Sequence, residues 1–446
     1  MAKTFSFVLF IGLFFLMAVP CKSFAEELIE KGEVLSLEKC IGIALKKNPT
    51  LDAAKNTILA TQSRVGQAKS NYYPQVDWTS GYRKIYSGTT TTNTGIPVGG
   101  TQVLGAGSSS ADKTSDQYSS SVTLSQNVYD FGKTSTQVKI QNFNLDSSRS
   151  DFENAIEQIT FNVKQAYYGV LQAERSRDVA AETVKQFVQH LDQAKGFYTV
   201  GTKPKFDVTK AESDLSSAKL NLIHAENAVK LAMVNLNNAM GIPYAPEYRI
   251  EDNLLYEKYD ITFESALERA YQDRPDIKSI VGKNQAAMSS VDLARKGYYP
   301  SLTGNASYFG SGDAFPLDRG WYAGASLSFP IFNGFMTKYQ VDEARGNLNV
   351  LKANEESLRQ TVFLDVQQSY LNLKEAEERI PTAELNVKQA EENFEIANGR
   401  YKAGVGNPIE VTDAEVGLMN AKTAYIQALY DYKVARASLE NAMGER

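Results

Sequence analysis

The sequence predicts a mixed α and β protein that is mostly helical and consists of two similar halves. Three observations support this prediction: long segments of the chain align with each other, apolar residues recur with a seven-residue period, and two regions alternate polar and apolar residues. Halves of about 200 residues favour one fused architecture over several separate domains. We expect a first structural repeat at residues 26–241 and a second at residues 242–446.

Repeated motifs reveal the two halves. "NYYP" at residues 71–74 recurs as "GYYP" at residues 297–300, and "LNNAMG" from Leu236 recurs as "LENAMG" from Leu439. Two long copies predict an internally duplicated, two-repeat molecule and not an array of short solenoid units.

Residues 1–25 have the features of a secretory signal peptide. Lys3 precedes an apolar run at residues 5–20, and "SFA" offers a cleavage site of small residues. A membrane anchor and a lipoprotein attached at Cys21 are the alternatives. Cleavage leaves 45 basic and 52 acidic residues, a net charge of −7, which argues against a nucleic-acid partner. Only Cys40 then remains, so the chain forms no internal disulfide.

Long helices are expected to form most of each half. Residues 133–200 contain no proline, and a helix of that length extends about 100 Å. Its counterpart, residues 336–403, contains Pro381, which predicts a local bend or break. Each long helix is followed by a glycine and then a proline, which predicts a tight helical hairpin. The returning helices stop at Gly241 and Gly444, so a second helix ending at each "YYP" is expected to complete the length.

The returning helices follow a strict heptad pattern. A sustained period of 3.5 residues is typical of coiled-coil packing, whereas the apolar stripe of an ordinary core helix drifts by about 20° per heptad. Alanine at alternate positions predicts close approach of the partner helix. The positions are Ala211, Leu215, Ala218, Leu222, Ala225, Val229, Ala232, Leu236 and Ala239 in the first half, and Ala414, Leu418, Ala421, Tyr425, Ala428, Tyr432, Ala435, Leu439 and Ala442 in the second.

Between the helices the period changes to two, which predicts two strand hairpins at about residues 75–128 and about residues 301–329. Strands of about 9 to 11 residues can cross a bilayer, and a soluble cap on the helices is the alternative. A Gly/Ser/Thr-rich stretch between residues 82 and 123 is expected to be a surface loop.

Four membrane strands per protomer cannot close a barrel, and open edges in lipid would leave backbone groups unpaired. Three copies would supply twelve strands, an even number within the range of outer-membrane barrels. The residues alone do not choose three copies over four.

Taken together, the signal peptide, the duplicated blocks, the paired strands and the hairpin tips resemble the TolC-like outer membrane efflux protein family, the outer membrane factors of efflux and type I secretion systems. The resemblance covers nearly the whole mature chain. It implies a homotrimer with a 12-stranded β-barrel in the cell outer membrane. That barrel would be continuous with a long coiled-coil α-helical barrel that extends into the periplasm.

The same resemblance implies the activity and the partners. The protein would be an exit duct that passively conducts substrates, coupled to a periplasmic adaptor (membrane fusion) protein and an inner-membrane transporter of the ABC or RND type. Neither the exported substrate nor the particular transporter follows from the resemblance.

Functional residues at the hairpin tips are also implied by the resemblance. Tyr401 falls on the family's gate tyrosine, and Asp207 falls on its hydrogen-bonding carboxylate partner. Glu410 and Asp413 fall on acidic positions that ring the tunnel mouth, where clustered carboxylates favour cations. An acidic first helical turn is the alternative explanation for these two residues. Gly406 stands where the family has a basic latch residue.

Small residues at the two tips are expected to form the adaptor-docking surface, because they permit close approach of a partner's backbone. These residues are Gly201, Thr202, Gly404 and Val405.

No enzymatic site is expected. The histidines His190 and His224 are not accompanied by a metal-ligand spacing or a nucleophile motif, so we expect no catalytic residue, metal or cofactor. A non-conducting periplasmic coiled-coil scaffold is the alternative function.

Overall fold

The computed structural model describes residues 29–87 and 113–445. The predicted signal peptide and most of the Gly/Ser/Thr-rich loop lie outside these residues. The helices are α1 (Leu37–Lys47), α2 (Pro49–Ser70), α3 (Lys133–Thr199), α4 (Lys205–Ala239), α5 (Phe263–Asp273), α6 (Pro275–Arg295), α7 (Met336–Lys402) and α8 (Pro408–Met443). The strands are β1 (Val34–Leu35), β2 (Gln75–Ser87), β3 (Lys113–Tyr129), β4 (Arg249–Ile250), β5 (Ser301–Gly312) and β6 (Asp318–Ser328).

Both halves have the same order of elements. Each has a two-residue strand, an 11-residue helix, a helix of 22 or 21 residues, two long strands, a 67-residue helix and a returning helix of 35 or 36 residues. Pro49 and Pro275 each open the second helix, where a fixed φ suits the first turn and the missing N–H is not needed. The internal duplication itself and its boundaries stay predictions.

The four long strands form one antiparallel sheet in the order β2-β3-β5-β6. One face of the sheet is apolar in the rows nearest the helices, and the other face is largely polar, as the period of two predicted. Aligned rows on the apolar face are Trp78, Val122, Tyr308 and Trp321, and Val76, Leu124, Ala306 and Ala323; a row on the other face is Asp77, Thr123, Ser307 and Tyr322. β3 has 17 residues and β2 has 13, so both are longer than predicted.

The helices form a layer with the same lateral order as the strands. Next to the sheet α2, α3, α6 and α7 pack side by side, and farther from it α4 and α8 take the places of α2 and α6. This confirms that two shorter helices stack along each long one. Hydroxyl pairs mark three of these contacts: Thr61 with Ser148 at 3.2 Å, Ser147 with Ser279 at 2.9 Å, and Ser369 with Ser438 at 3.0 Å.

The main core lies where α1, α5 and the two short strands pack against the middle of the layer. Two buried tyrosines mark it: the Tyr167 hydroxyl donates to Glu251 O and the Tyr432 hydroxyl donates to Glu257 O, both at 2.6 Å. These bonds satisfy polar atoms that burial would otherwise leave unpaired. Toward the hairpin tips a second, smaller core consists of Phe187, Leu191, Ala194, Ala211, Leu215 and Ala218.

Burial along α4 and α8 follows the predicted heptad positions. Ala211, Leu215 and Ala218 are buried on α4, and Ala414, Leu418 and Ala421 are buried on α8.

Of the bend or break predicted at Pro381, the break is wrong, because α7 runs through this residue without interruption, and the bend stays a prediction. Pro381 is exposed, whereas Ile380 and Ala376, which precede it on α7, are buried. Packing of these two side chains therefore keeps the chain helical up to the proline. In the described ranges, none of the helices is both long and apolar enough to cross a membrane.

Candidate functional site at the hairpin tips

The first helical hairpin (α3 and α4) and the second helical hairpin (α7 and α8) end in the same backbone motif. In each, a glycine N–H bonds back three residues and the next N–H bonds back five, which is the Schellman arrangement. Gly201 and Gly404 have φ of +76° and +80°, a left-handed conformation that favours glycine. The bonds are Gly201 N to Tyr198 O at 3.0 Å, Thr202 N to Phe197 O at 3.0 Å, Gly404 N to Tyr401 O at 2.9 Å and Val405 N to Arg400 O at 3.1 Å.

All four residues predicted to dock an adaptor are exposed at these turns. Val405 is 73% exposed and Val200, at the first turn, is 71% exposed. Each tip therefore presents a small apolar side chain beside a glycine. The adaptor contact itself stays a prediction.

Gly406 is buried under the second turn, and its surroundings exclude a side chain. A Cβ atom there would lie 2.7 Å from Tyr401 N and 2.9 Å from Arg400 C. The tight return of the chain over the end of α7 thus explains why no basic residue stands at position 406.

Tyr401 is fully buried at the end of α7, and its ring centroid lies 4.9 Å from that of His190 and 5.5 Å from that of Phe197. Its hydroxyl has no hydrogen-bond partner among the described residues of one chain. Burial, and then the charge of Asp207, raise the pKa of Tyr401. Asp207 is buried in the first turn of α4. The structure brings the two residues into one region without a hydrogen bond between them, and their role in a gate stays a prediction.

Lys203, which the sequence analysis did not single out, connects the two turns. Its Nζ donates to Gly406 O at 3.1 Å and lies 5.7 Å from the centroid of the Tyr401 ring. A cation therefore lies beside Gly406, supplied by the first hairpin. The contact joins residues 203 positions apart, so no local pattern signals it.

The predicted acidic residues lie at the start of α8. Glu410 Oε2 is 3.5 Å from Arg400 Nε, and both side chains are about half exposed, so this pair contributes at most about 1 kcal/mol. Asp413 is exposed. Within one chain Glu410 thus has a basic neighbour that the sequence analysis did not identify, and the tunnel ring of carboxylates stays a prediction.

A small cavity separates α3 from α7 and α8 above the tips. Carboxamides, aromatic rings and two buried titratable side chains line it. Glu415 is 4% exposed with Oε2 unpaired, and His190 is 6% exposed with Nδ1 unpaired. Burial, and then the charge of Glu182, raise the pKa of Glu415 to about 7, while burial lowers the pKa of His190. The lining residues are Gln186, Phe187, Gln189, His190, Gln193, Phe394, Asn398, Val411 and Glu415.

The sequence analysis set His190 aside and did not mark Glu415. The position of Glu415 could have indicated its burial. Glu415 directly follows the heptad residue Ala414, so its side chain begins beside the predicted contact with the neighbouring helix.

Comparisons with known proteins agree with this architecture. The outer membrane efflux protein family model matches residues 40–242 and 266–445. Protein CyaE of Bordetella pertussis is 25% identical over 447 residues, covering 96% of this chain and 86% of that protein. Outer membrane protein TolC of Escherichia coli is 22% identical over 347 residues, covering 74% of this chain and 70% of that protein.

Among solved structures, the Campylobacter jejuni CmeC outer membrane channel superimposes with a TM-score of 0.77 at 19% identity, covering 92% of this chain and 85% of that one. This likeness concerns the fold. Because the family model spans most of both halves, the chain is an outer-membrane protein that belongs to the outer membrane efflux protein family.

Proposed function

We propose that this protein is the outer-membrane exit duct of a tripartite efflux or type I secretion system. It would passively conduct substrates to the exterior from an inner-membrane transporter of the ABC or RND type and a periplasmic adaptor. The proposal rests on the observation that strands and helices of one chain share one lateral order and form a layer whose two edges have no partner among the described residues. We call these two edges the flanks.

The sheet supports a membrane location and a closed assembly. Its apolar face suits lipid and its polar face suits a water-filled lumen, the alternation expected of barrel strands. Among the described strands, β2 and β6 each have one partner only. In a homotrimer β6 of one copy would pair with β2 of the next, giving twelve strands and no unpaired edge.

The helical layer has matching open flanks. α4 and α7 are the edge helices of the layer in its part farther from the sheet, and both expose large apolar side chains. Apolar surface of this extent needs a partner, and a neighbouring copy would cover both helices with one kind of contact. The residues are Leu220, Ile223, Leu231 and Val234 on α4, and Val350, Leu364, Leu371 and Leu385 on α7.

Aromatic residues gather where the sheet meets the helices, which gives the repeated "YYP" a physical role. The rings of Phe131 and Tyr299 stack with centroids 5.6 Å apart. Aromatic side chains of this kind suit a membrane–water interface. Exposed members of the group are Tyr72, Tyr73, Tyr298, Tyr299, Phe332 and Phe335.

Fractionation and bilayer recording test the duct directly. The protein should be recovered from the outer membrane as an oligomer, and the purified oligomer should form water-filled channels in planar bilayers. A protein that stays in the soluble periplasmic fraction and conducts nothing would instead support the coiled-coil scaffold.

The docking role of the tips can be tested at Val405. We expect Val405→Asp to abolish export while assembly and membrane insertion are kept, because this side chain is largely exposed and a charge disfavours an apolar contact. Val34→Asp is the matched control, since Val34 is exposed on β1, far along the chain from both tips. Normal export by the Val405 variant would place docking elsewhere.

A further inference from the structure

We infer that Glu415 and His190 form a proton-responsive contact between the two helical hairpins, packed when both side chains are neutral and loosened when either becomes charged. The inference rests on the proposed function, because it names what would regulate opening at the periplasmic end of the duct.

The geometry places both groups where a charge would act on hairpin separation. Glu415 on α8 and His190 on α3 face the same cavity from opposite hairpins. Each has a polar atom with no partner in the described part of the chain: Oε2 of Glu415 and Nδ1 of His190. An unpaired charge in such a site is strongly disfavoured, whereas a neutral group is tolerated at lower cost.

The positive charge of Lys422 favours ionisation of Glu415, but less than the negative charge of Glu182 disfavours it. Glu182 faces Glu415 from α3. Lys422 lies on α8, and its Nζ is already 3.2 Å from Glu182 and 3.4 Å from Glu391 of α7. The α7 residues that line the cavity, Phe394 and Asn398, carry no charge.

The charged groups that act on His190 come from α4. Asp207 and Asp214 favour its protonated form and Lys210 opposes it, while burial is the dominant influence and lowers the pKa. Asp214 is also occupied: Lys210 Nζ lies 2.5 Å from it, and Thr412 Oγ1 of α8 donates to it at 3.0 Å. Thr412 also belongs to the second hairpin, so this bond is a further link across the same contact.

The direction of the pH effect follows from the two pKa shifts. The pKa of Glu415 is raised to about 7 from an ordinary value of 4.5, so its contribution to packing is complete below 4.5 and is lost as pH rises through about 7. The pKa of His190 is lowered from 6.5, so its contribution is complete above 6.5 and is lost as pH falls through the lowered value. The contact is therefore expected to loosen first on the alkaline side.

Loosening of the contact between Glu415 and His190 would affect the hairpin tip. His190 precedes the first turn by about 15 Å of helix, and its ring packs on Tyr401. Tyr401 in turn lies under Lys203, which bonds the second turn. Separation at the cavity would remove the support of this stack.

Hydrogen exchange on the full-length purified oligomer tests the inference without relying on transport. After correction for intrinsic rates, protection at residues 182–194 and 411–418 should fall about tenfold between about pH 6 and about pH 8. Residues 37–44 of the main core serve as the internal reference. Residues 159–171 are not suitable, because they follow Glu157, whose pKa burial also raises to about 7. Glu415→Gln, which keeps the shape and cannot ionise, should remove this dependence, and Glu410→Gln, which alters an exposed carboxylate, should keep it.

Infrared difference spectra provide a readout that a merely structural role would not change. Burial raises the pKa of Glu157 to about 7 as well, so the protonated-carboxyl band of the wild type should contain two components that disappear with a midpoint of about 7. The component that belongs to Glu415 should be missing in Glu415→Gln, while that of Glu157 remains. Should that variant fail to fold, Glu182→Gln retains Glu415 and is expected to move the midpoint to lower pH.

Three results would overturn the inference: equal pH dependence in Glu415→Gln and wild type, titration of the carboxyl at its ordinary value, or an unmoved midpoint in Glu182→Gln. Absence of bilayer conductance with the expected exchange midpoint would contradict the duct and leave the proton-responsive contact in place.

Discussion

At the scale of single residues, the glycines near the second tip meet different structural requirements. Gly404 needs its left-handed φ, whereas Gly406 needs space, because a Cβ would meet the backbone of Tyr401. Gly399, seven residues earlier, lies inside α7, and a Cβ added there would have no neighbouring atom within 4 Å.

These environments give opposite predictions for one substitution. Gly406→Ala should destabilise the folded protein by roughly 1 to 3 kcal/mol through overpacking. Gly399→Ala should stabilise it by about 0.5 to 1 kcal/mol, because alanine favours the helix and restricts the unfolded chain. Denaturant unfolding followed by circular dichroism measures both. Equal effects at the two positions would mean that the turn relaxes freely around Gly406.

Lys203 provides the second prediction at this scale. Lys203→Met removes the bond to Gly406 O and the contact with the Tyr401 ring, together worth about 1 kcal/mol, so the closed tip should lose population about fivefold. Channel open probability in bilayers measures this change. Lys205→Met, at an exposed lysine two residues along the chain, is the matched control and should leave open probability unchanged. An unaltered Lys203→Met channel would show that the contact does not hold the tip.

Sequence reasoning succeeded for residues governed by local backbone rules and missed residues governed by distant contacts. The left-handed Gly201 and Gly404 follow from the turn chemistry of a helix end. Lys203 and Glu415 acquire their surroundings only when the two hairpins pack together, and neither surrounding is encoded in adjacent residues.

At the scale of elements, the α3–α4 seam is the clearest case of sequence-encoded packing. Ala218 is buried in the smaller core, so Ala218→Leu should overpack the seam and destabilise the protein by roughly 1 to 3 kcal/mol. Ser217→Leu, at the exposed neighbouring position, should change stability by less than about 0.5 kcal/mol. The midpoint of guanidinium unfolding reports both. If Ala218→Leu leaves the unfolding midpoint unchanged, the contact between α3 and α4 has room for a larger side chain.

Helix positions and hairpin turns could be predicted because the heptad period is regular and glycine and proline residues mark the helix ends. Strand length could not, since β3 extends beyond the alternating run through polar residues that pair with β2. The uninterrupted α7 at Pro381 has a similar explanation: tertiary packing through Ile380 overrides a local preference.

At the scale of the whole molecule, one chain leaves unpaired strand edges and exposed apolar helix surface at both flanks. The free strand edges and the exposed apolar helix faces lie on the same two sides of the layer, because helices and strands share one lateral order. A second copy placed beside the first would meet α7 with α2 and α4. Leu231 of α4 and Leu371 of α7 are both exposed, and their sequence neighbours Ala232 and Tyr370 pack against the main core.

Charge on either flank should therefore prevent assembly. We expect Leu231→Asp and Leu371→Asp each to yield monomers at concentrations where the wild type is an oligomer, because burying an unpaired carboxylate disfavours each interface by several kcal/mol. Leu255→Asp is the control: this leucine is similarly exposed but lies outside α4 and α7, in the segment between β4 and α5. Sedimentation in detergent measures the three variants. If both flank variants assemble normally while circular dichroism shows native helix content, the neighbouring copies meet through another surface, and the layer must close by a different contact.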